Sequence, residues 1–194
     1  MEPPIVNIVG ERVALGPLRR ALLETYQRWF NDFGTDRTQG DIPGPRTRER
    51  AERFYARRAT DAETPMFLIY ELASWQPIGI TWLSDVDQRQ RTAGYAIMLG
   101  EPSARGQGYG TEVTRLMLDY AFTALGLHNV ELEVYEPNIA GLRAYAKAGF
   151  RECGRRHASY RMGGRAWDTI VMECLATGFS SPLLSKIFAP DEPR

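Results

Sequence analysis

Arg105-Gly106-Gln107-Gly108-Tyr109-Gly110 is the stretch that decides the fold. Its three glycines stand at alternate positions, between an apolar run ending near Leu99-Gly100 and a segment of helical period starting near Tyr109. Glycine reaches φ > 0 and lacks a β-carbon, so backbone N–H groups can turn inward and meet an anion closely. The first turn of the next helix adds N–H donors and the positive end of its dipole. Together these make a phosphate cradle, to which Arg105 adds a cationic donor and Thr111 a hydroxyl. A flexible surface loop is the plain alternative. A Walker loop fits poorly, because Gly110-Thr111-Glu112 has no lysine. A dinucleotide fingerprint also fits poorly: the spacing is G-x-G-x-G, and repeated β-α-β units are missing.

Upstream of the loop, Met66–Leu72, Ile78–Val86 and Thr92–Leu99 read as strands joined by short turns, hence an antiparallel meander. Before them, Ile5–Leu15 reads as a strand pair broken at Gly10. Leu22, Tyr26, Trp29, Phe30 and Phe33 then form a helical stripe. Phe33–Pro45 is rich in turn formers, and Thr47 caps a second helix with Glu49 in its first turn. Downstream, Val113, Leu116, Met117 and Tyr120 keep a helical period that stops at Gly126, and Val130, Leu132 and Val134 alternate as a strand. Asn138 caps a helix that ends at Gly149, and Gly163-Gly164 marks a hairpin. The expected fold is α+β (mixed α/β): a mostly antiparallel twisted sheet of about seven strands flanked by about four helices. Residues 1–176 form one domain, and 177–194 a tail that packs loosely or docks on a neighbour.

The 194 residues suit one domain with a real core, and 43% apolar and 25% charged residues are ordinary for a globular chain. The 24 basic and 24 acidic residues cancel, giving no electrostatic reason to expect nucleic acid or an anionic membrane as partner. No apolar run reaches the ~20 residues of a membrane helix. The two cysteines make no disulfide framework, so a reduced, cytoplasmic setting is expected. With two distant histidines, no metal site is expected.

The loop resembles the Q/R-x-x-G-x-G/A signature of the GNAT acetyltransferase superfamily. Gly106–Glu112, Leu118–Phe122, Leu125–His128, Asn138 with Gly149-Phe150, Gly164-Arg165 with Trp167-Asp168, and Gly10–Leu18 together resemble its branch that acetylates ribosomal-protein N-termini. The likeness runs over about residues 8–175. It implies a splayed parallel strand pair, a bulge in the strand before the loop, and acetyl-CoA as cofactor. Ile97, Met98 and Leu99 would pair with the pantetheine arm. The backbone of Gly106, Gln107, Gly108, Tyr109, Gly110 and Thr111 would hold the pyrophosphate, flanked by Arg105. Asn138 would bond the arm as well as cap its helix. Tyr145, two turns further on the same face, would meet the CoA sulfur, although core packing alone is the plainer account of a tyrosine there. The activity implied is direct acetyl transfer to a primary amine: a peptide N-terminus, a polyamine or an aminoglycoside-type molecule. A non-catalytic acyl-CoA sensor is the alternative, and a dinucleotide-dependent oxidoreductase a weaker one. A homodimer is compatible with the resemblance.

Two positions depart from the family. The strand reading Thr92-Ala93-Gly94-Tyr95 lacks the glutamate that often serves as base, and Gly141 stands where serine is common. Asp85, with Asp87, Glu133 and Asp168 behind it, is the candidate base, beside a chain of waters. The acceptor site would be built from Trp29, Asp32, Phe33, Asp36, Arg37, Asp41 and Asp168, with Tyr160. Asp32, Asp36 and Asp41 would recruit a cationic amine; a solvated loop is the bland account of them. If the Gly163-Gly164 turn has no bulges, residues whose numbers sum to 327 face each other, which would bring Cys153 and Cys174 together as reduced neighbours.

Overall fold

Along residues 4–40 and 42–190, which the computed structural model describes, the chain starts as an antiparallel pair, β1 (Ile8–Val9) and β2 (Val13–Gly16). Helix α1 (Leu23–Phe30) follows. It breaks at Asn31-Asp32, and the four-residue α2 (Phe33–Asp36) begins there. Helix α3 (Arg48–Arg58) precedes the meander β3 (Met66–Glu71), β4 (Pro77–Asp87) and β5 (Thr92–Leu99). After the glycine loop come α4 (Tyr109–Asp119), a π-helical turn over Tyr120–Ala124, β6 (Asn129–Tyr135) and α5 (Ile139–Ala148). The hairpin β7 (Arg151–Met162) and β8 (Arg165–Leu175) and a short α6 (Leu184–Ile187) complete the chain. One eight-stranded sheet results, in the order β1-β2-β3-β4-β5-β6-β8-β7. Only β5–β6 is parallel. The fold is the expected one, with eight strands because the opening pair counts twice, and six helices because α2 and α6 are single turns.

Alternation divides β3 between two cores. Phe67 and Ile69 join Val113, Leu116 and Met117 of α4 on one face, while Leu68 and Tyr70 join Tyr26 and Trp29 of α1 on the other. Buried on both faces, β3 reads as a continuous apolar run. Phe33, the last member of the expected α1 stripe, lies past the break and is exposed.

Three strand irregularities depart from expectation. The bulge implied for β5 lies on β4, between Ser84 and Asp87, where Asp85 has φ 50°. In the hairpin, Gly163 and Gly164 both have positive φ, and Met162 pairs with Arg165 as a two-residue turn requires. The register then shifts between Tyr160 and Arg156 and again between Gly154 and Glu152. The second bulge leaves Cys153 exposed, while Cys174 is buried and pairs with Val130. The expected facing of the cysteines is lost, as extra residues in one strand must cause.

The tail, described as far as residue 190, docks on its own domain. Asp119, fully buried, accepts from the backbone N–H of Leu183 (3.0 Å) and Leu184 (2.8 Å) and from Thr123 Oγ1 (2.8 Å). Leu184 is buried, and Phe179 packs edge-on against Phe122. Asp119→Ala strands two backbone donors and a hydroxyl, so urea unfolding should show a loss of about 2–4 kcal/mol. Asp119→Asn, which keeps one carbonyl acceptor, should lose less.

Candidate active site

β5 and β6 pair only over Thr92–Gly94 and Asn129–Glu131. Beyond that, Tyr95–Leu99 stay with β4 and Leu132–Tyr135 stay with β8, so the two strands part and a gap opens in mid-sheet. In an antiparallel pairing a residue's N–H and C=O point to the same side. Thr81 Oγ1 donates to the Ala96 carbonyl (2.9 Å), and Gln39 Nε2 to the Ile97 carbonyl (3.4 Å). Tyr95, Ile97 and Leu99 therefore turn their backbone polar groups toward the gap. Met98 does not: its carbonyl faces β4, where a Cβ on Gly79 would lie 2.2 Å from it, and its side chain is buried with Trp29 and Ile80. Of the three residues expected to pair with an extended ligand, Ile97 and Leu99 are placed for it and Met98 is not.

The glycine loop sits at the end of this gap. Gly106 (φ 75°) and Gly108 (φ 87°) are left-handed, and α4 begins directly after them. The N–H groups of Gly106, Gln107, Gly108, Tyr109 and Gly110 have no acceptor among the described residues, whereas those of Thr111 and Glu112 close on the Gly108 carbonyl. Five consecutive free donors at a helix start are the arrangement that can receive an anion; of the six residues expected to supply such donors, Thr111 alone has its N–H engaged. Gly110 lies 3.8 Å from Leu99 and 4.0 Å from Ala144, measured from a built Cβ, which lets α4 and α5 close on the groove. Tyr109 turns its side chain away, donating to Glu71 Oε1 (2.5 Å) under the Arg12 guanidinium.

Arg105 lines the groove, but its guanidinium is committed to protein. Nη2 donates to Asp32 Oδ2 (2.8 Å) and Thr35 Oγ1 (2.6 Å), and Nε to the Leu99 carbonyl (3.2 Å). Asp32 also caps α2 through Gly34 N–H (2.9 Å). The Arg105 hydrogen bond, helped by Thr35 and Gly34, lowers the Asp32 carboxyl to about 2. Arg105 thus fastens α2 to the end of β5.

From the other wall, α5 presents Asn138 and Tyr145. Asn138 Oδ1 accepts from Gly141 N–H (3.0 Å), which leaves Nδ2 for a ligand. A Cβ on residue 141 would approach Nδ2 to 2.6 Å, so the glycine keeps that donor accessible. Tyr145 packs on Tyr95 and Phe150, and its hydroxyl has no hydrogen-bond partner among the described residues. Burial pushes the phenol up to about 12.

Of the four candidate carboxylates only Glu133 lines the groove, ion-paired with Arg156. Asp85 is exposed at the β4 bulge, away from it. Asp87 caps the β4–β5 turn through Arg89 and Gln90 N–H (both 2.8 Å). Asp168 serves the hairpin bulge, accepting from Ala158 N–H (2.9 Å) and pairing with Arg155 and His157.

A second cavity, of ≈ 530 Å³, lies beneath α1–α3 and adjoins the ≈ 660 Å³ groove; Thr35, Gln39 and Trp82 line both. Of the residues expected at an acceptor site, Trp29 and Asp36 line this cavity. Phe33 lines neither, and Asp41 lies outside the described residues. Arg37 and Tyr160 form a strap across the groove, Tyr160 Oη donating to the Arg37 carbonyl (2.6 Å) and its ring stacking on Tyr135. Sequence reading missed Thr35, Gln39, Trp82 and Tyr135, which carry no motif.

Against known families, residues 12–151 match the acetyltransferase (GNAT) domain. The chain belongs to the GNAT acetyltransferase family. It is an acetyl-CoA-dependent N-acetyltransferase. Human alpha/beta-tubulin-N-acetyltransferase 9 is 27% identical over 157 residues, covering 75% of both chains. Spermidine N(1)-acetyltransferase of Vibrio cholerae is 28% identical over 131 residues, 68% of this chain and 75% of that one. The crystal structure of spermidine N-acetyltransferase from Vibrio cholerae in complex with CoA and spermine superimposes with a TM-score of 0.78 at 24% identity, over 86% of this chain and 97% of that one. The family is the one the motifs resemble; these relatives do not single out the ribosomal-protein branch.

The ordinary carboxyl value of 3.8 is lowered in folded Asp32, so its stabilising pairing is complete above about pH 4 and is lost as pH falls through about 2. In Arg105→Ala, carbon-detected NMR should find the Asp32 midpoint raised from about 2 toward 3.8, short of it while Thr35 and Gly34 still donate, with weakened acetyl-CoA binding as α2 loosens. An Asp32 midpoint still near 2 would mean that Arg105 is not the cause.

Proposed function

We propose that this acetyltransferase presents a primary amine, seated in the cavity beneath α3, to a thioester held in the β5–β6 gap. The observation that carries this reading is the junction of the two cavities at Thr35, Gln39 and Trp82. Acetyl-CoA, when bound, supplies an activated acetyl group as a thioester. The free N–H groups of Gly106–Gly110 are the donors for its pyrophosphate, and Asn138 Nδ2 with the gap-facing backbone of Ile97 and Leu99 are the partners for its amide-bearing arm. Backbone N–H donors fixed in place before the reaction also suit a carbonyl oxygen that gains negative charge.

Tyr145 is the donor at the sulfur. A phenol near 12 lies three to four pKa units above a thiol of ~8.5, so outright proton transfer runs uphill by about 5 kcal/mol. The hydroxyl therefore acts mainly by donating a hydrogen bond to the departing sulfur. Most alkyl amines are protonated at neutral pH, and Glu133 is the carboxylate placed at the groove to take that proton. Peptide N-termini and polyamines both fit the reaction class; charge in the acceptor cavity separates them below. The sensor alternative requires CoA binding without turnover.

Tyr145→Phe removes a hydroxyl that no described residue hydrogen-bonds, so stability should change little. The turnover number should fall about 10- to 100-fold while the acetyl-CoA dissociation constant moves less than about threefold. Unchanged turnover would remove Tyr145 from the chemistry, and CoA release for no amine would favour the sensor.

A further inference from the structure

In the acidic segment expected to attract a cationic amine, the two described aspartates are neutralised from within. Asp32 is held by Arg105, and Asp36, 5% exposed, by Arg46 at 2.8 Å. Among the described residues, Asp36 is the only carboxylate lining the second cavity, against Arg46, Arg50, Arg53, Arg57 and Arg58. Arg58 is paired with Asp61 at 2.9 Å. Arg50, Arg53 and Arg57 form no salt bridge among the described residues. Their spacing of three and then four places all three on one face of α3, and that face lines the cavity. Three like charges on one helical face repel one another, and an anion bound among them relieves that repulsion. Guanidinium is also the group that grips carboxylate and phosphate through two parallel hydrogen bonds.

We infer that the acceptor is a small amine that also carries an anionic group, a carboxylate or a phosphate, held by Arg50, Arg53 and Arg57 with its amino end toward Thr35, Gln39 and Trp82. This rests on the proposed amine acetylation and names its substrate class. A polycation such as spermidine is disfavoured by the same three charges. The cavity thus differs in what it selects from what the names of the polyamine-acetylating relatives suggest.

The test is a CoA-release assay with the full chain on four probes: glutamate, phosphoethanolamine, butylamine and spermidine, with acetyl-CoA binding measured separately by calorimetry. The expected result is a kcat/KM for one or both anionic amines about tenfold or more above butylamine and spermidine, shrinking as salt is raised. Glutamate against phosphoethanolamine distinguishes carboxylate from phosphate. Arg53→Glu with Arg57→Glu, both exposed positions on the helix surface, should reverse the order toward spermidine with acetyl-CoA affinity unchanged. Spermidine preferred by the unmodified chain, with no response to these substitutions, overturns the inference and leaves amine acetylation standing. Acetyl-CoA binding without release for any probe overturns both.

Discussion

The structure depends on where β5 and β6 stop pairing. Each strand is claimed by its other neighbour, β5 by β4 and β6 by β8, and the parallel bonds end after Gly94 and Glu131. Backbone polar groups left unpaired inside a sheet are costly unless something satisfies them. Gln39 meets the Ile97 carbonyl and Arg105 the Leu99 carbonyl, while the remaining groups face the groove. A fold that keeps such an edge open in mid-sheet can receive an extended, hydrogen-bonding ligand there.

Everything around the gap fixes its ends. At one end, around the left-handed glycines, five consecutive N–H groups have no acceptor among the described residues, and small residues let α4 and α5 approach. Along its length the segment after α1 is pinned by Arg105, Gln39 and Tyr160. Gly100 contributes by absence: a Cβ there would lie 2.2 Å from the Trp29 indole, whose Nε1 donates to Glu101 at 2.8 Å. This packing sets α1, and with it the cavity beneath α1–α3, against the end of β5.

The parts legible in the sequence were those written locally. Apolar runs between short turns marked β3 to β5, alternation marked β6, and Asn138 and Gly149 bounded α5. The alternating glycines marked the cradle because few side chains tolerate φ near 80°. Contacts between distant segments were not legible. Arg105 looked like a phosphate ligand, and nothing nearby in sequence announced Asp32 as its partner. The aspartates after α1 looked like a cation trap, yet Asp32 and Asp36 take their counter-charges from elsewhere in the chain, and among the described residues the charge left in the cavity is arginine. Bulges at Asp85, near Ala158 and at Cys153 were invisible for a related reason: an extra residue leaves the apolar pattern readable while shifting every partner beyond it.

Backbone amide hydrogen exchange, read residue by residue with and without CoA, tests the central claim most directly. Protection should appear at Gly106–Gly110 and at the gap-facing amides of β5, Ile97 and Leu99, while Met98, already turned to β4, stays unchanged. CoA binding that leaves those amides exchanging as before, or that protects Met98 in their place, would contradict the account of an open strand pair built to hold the cofactor.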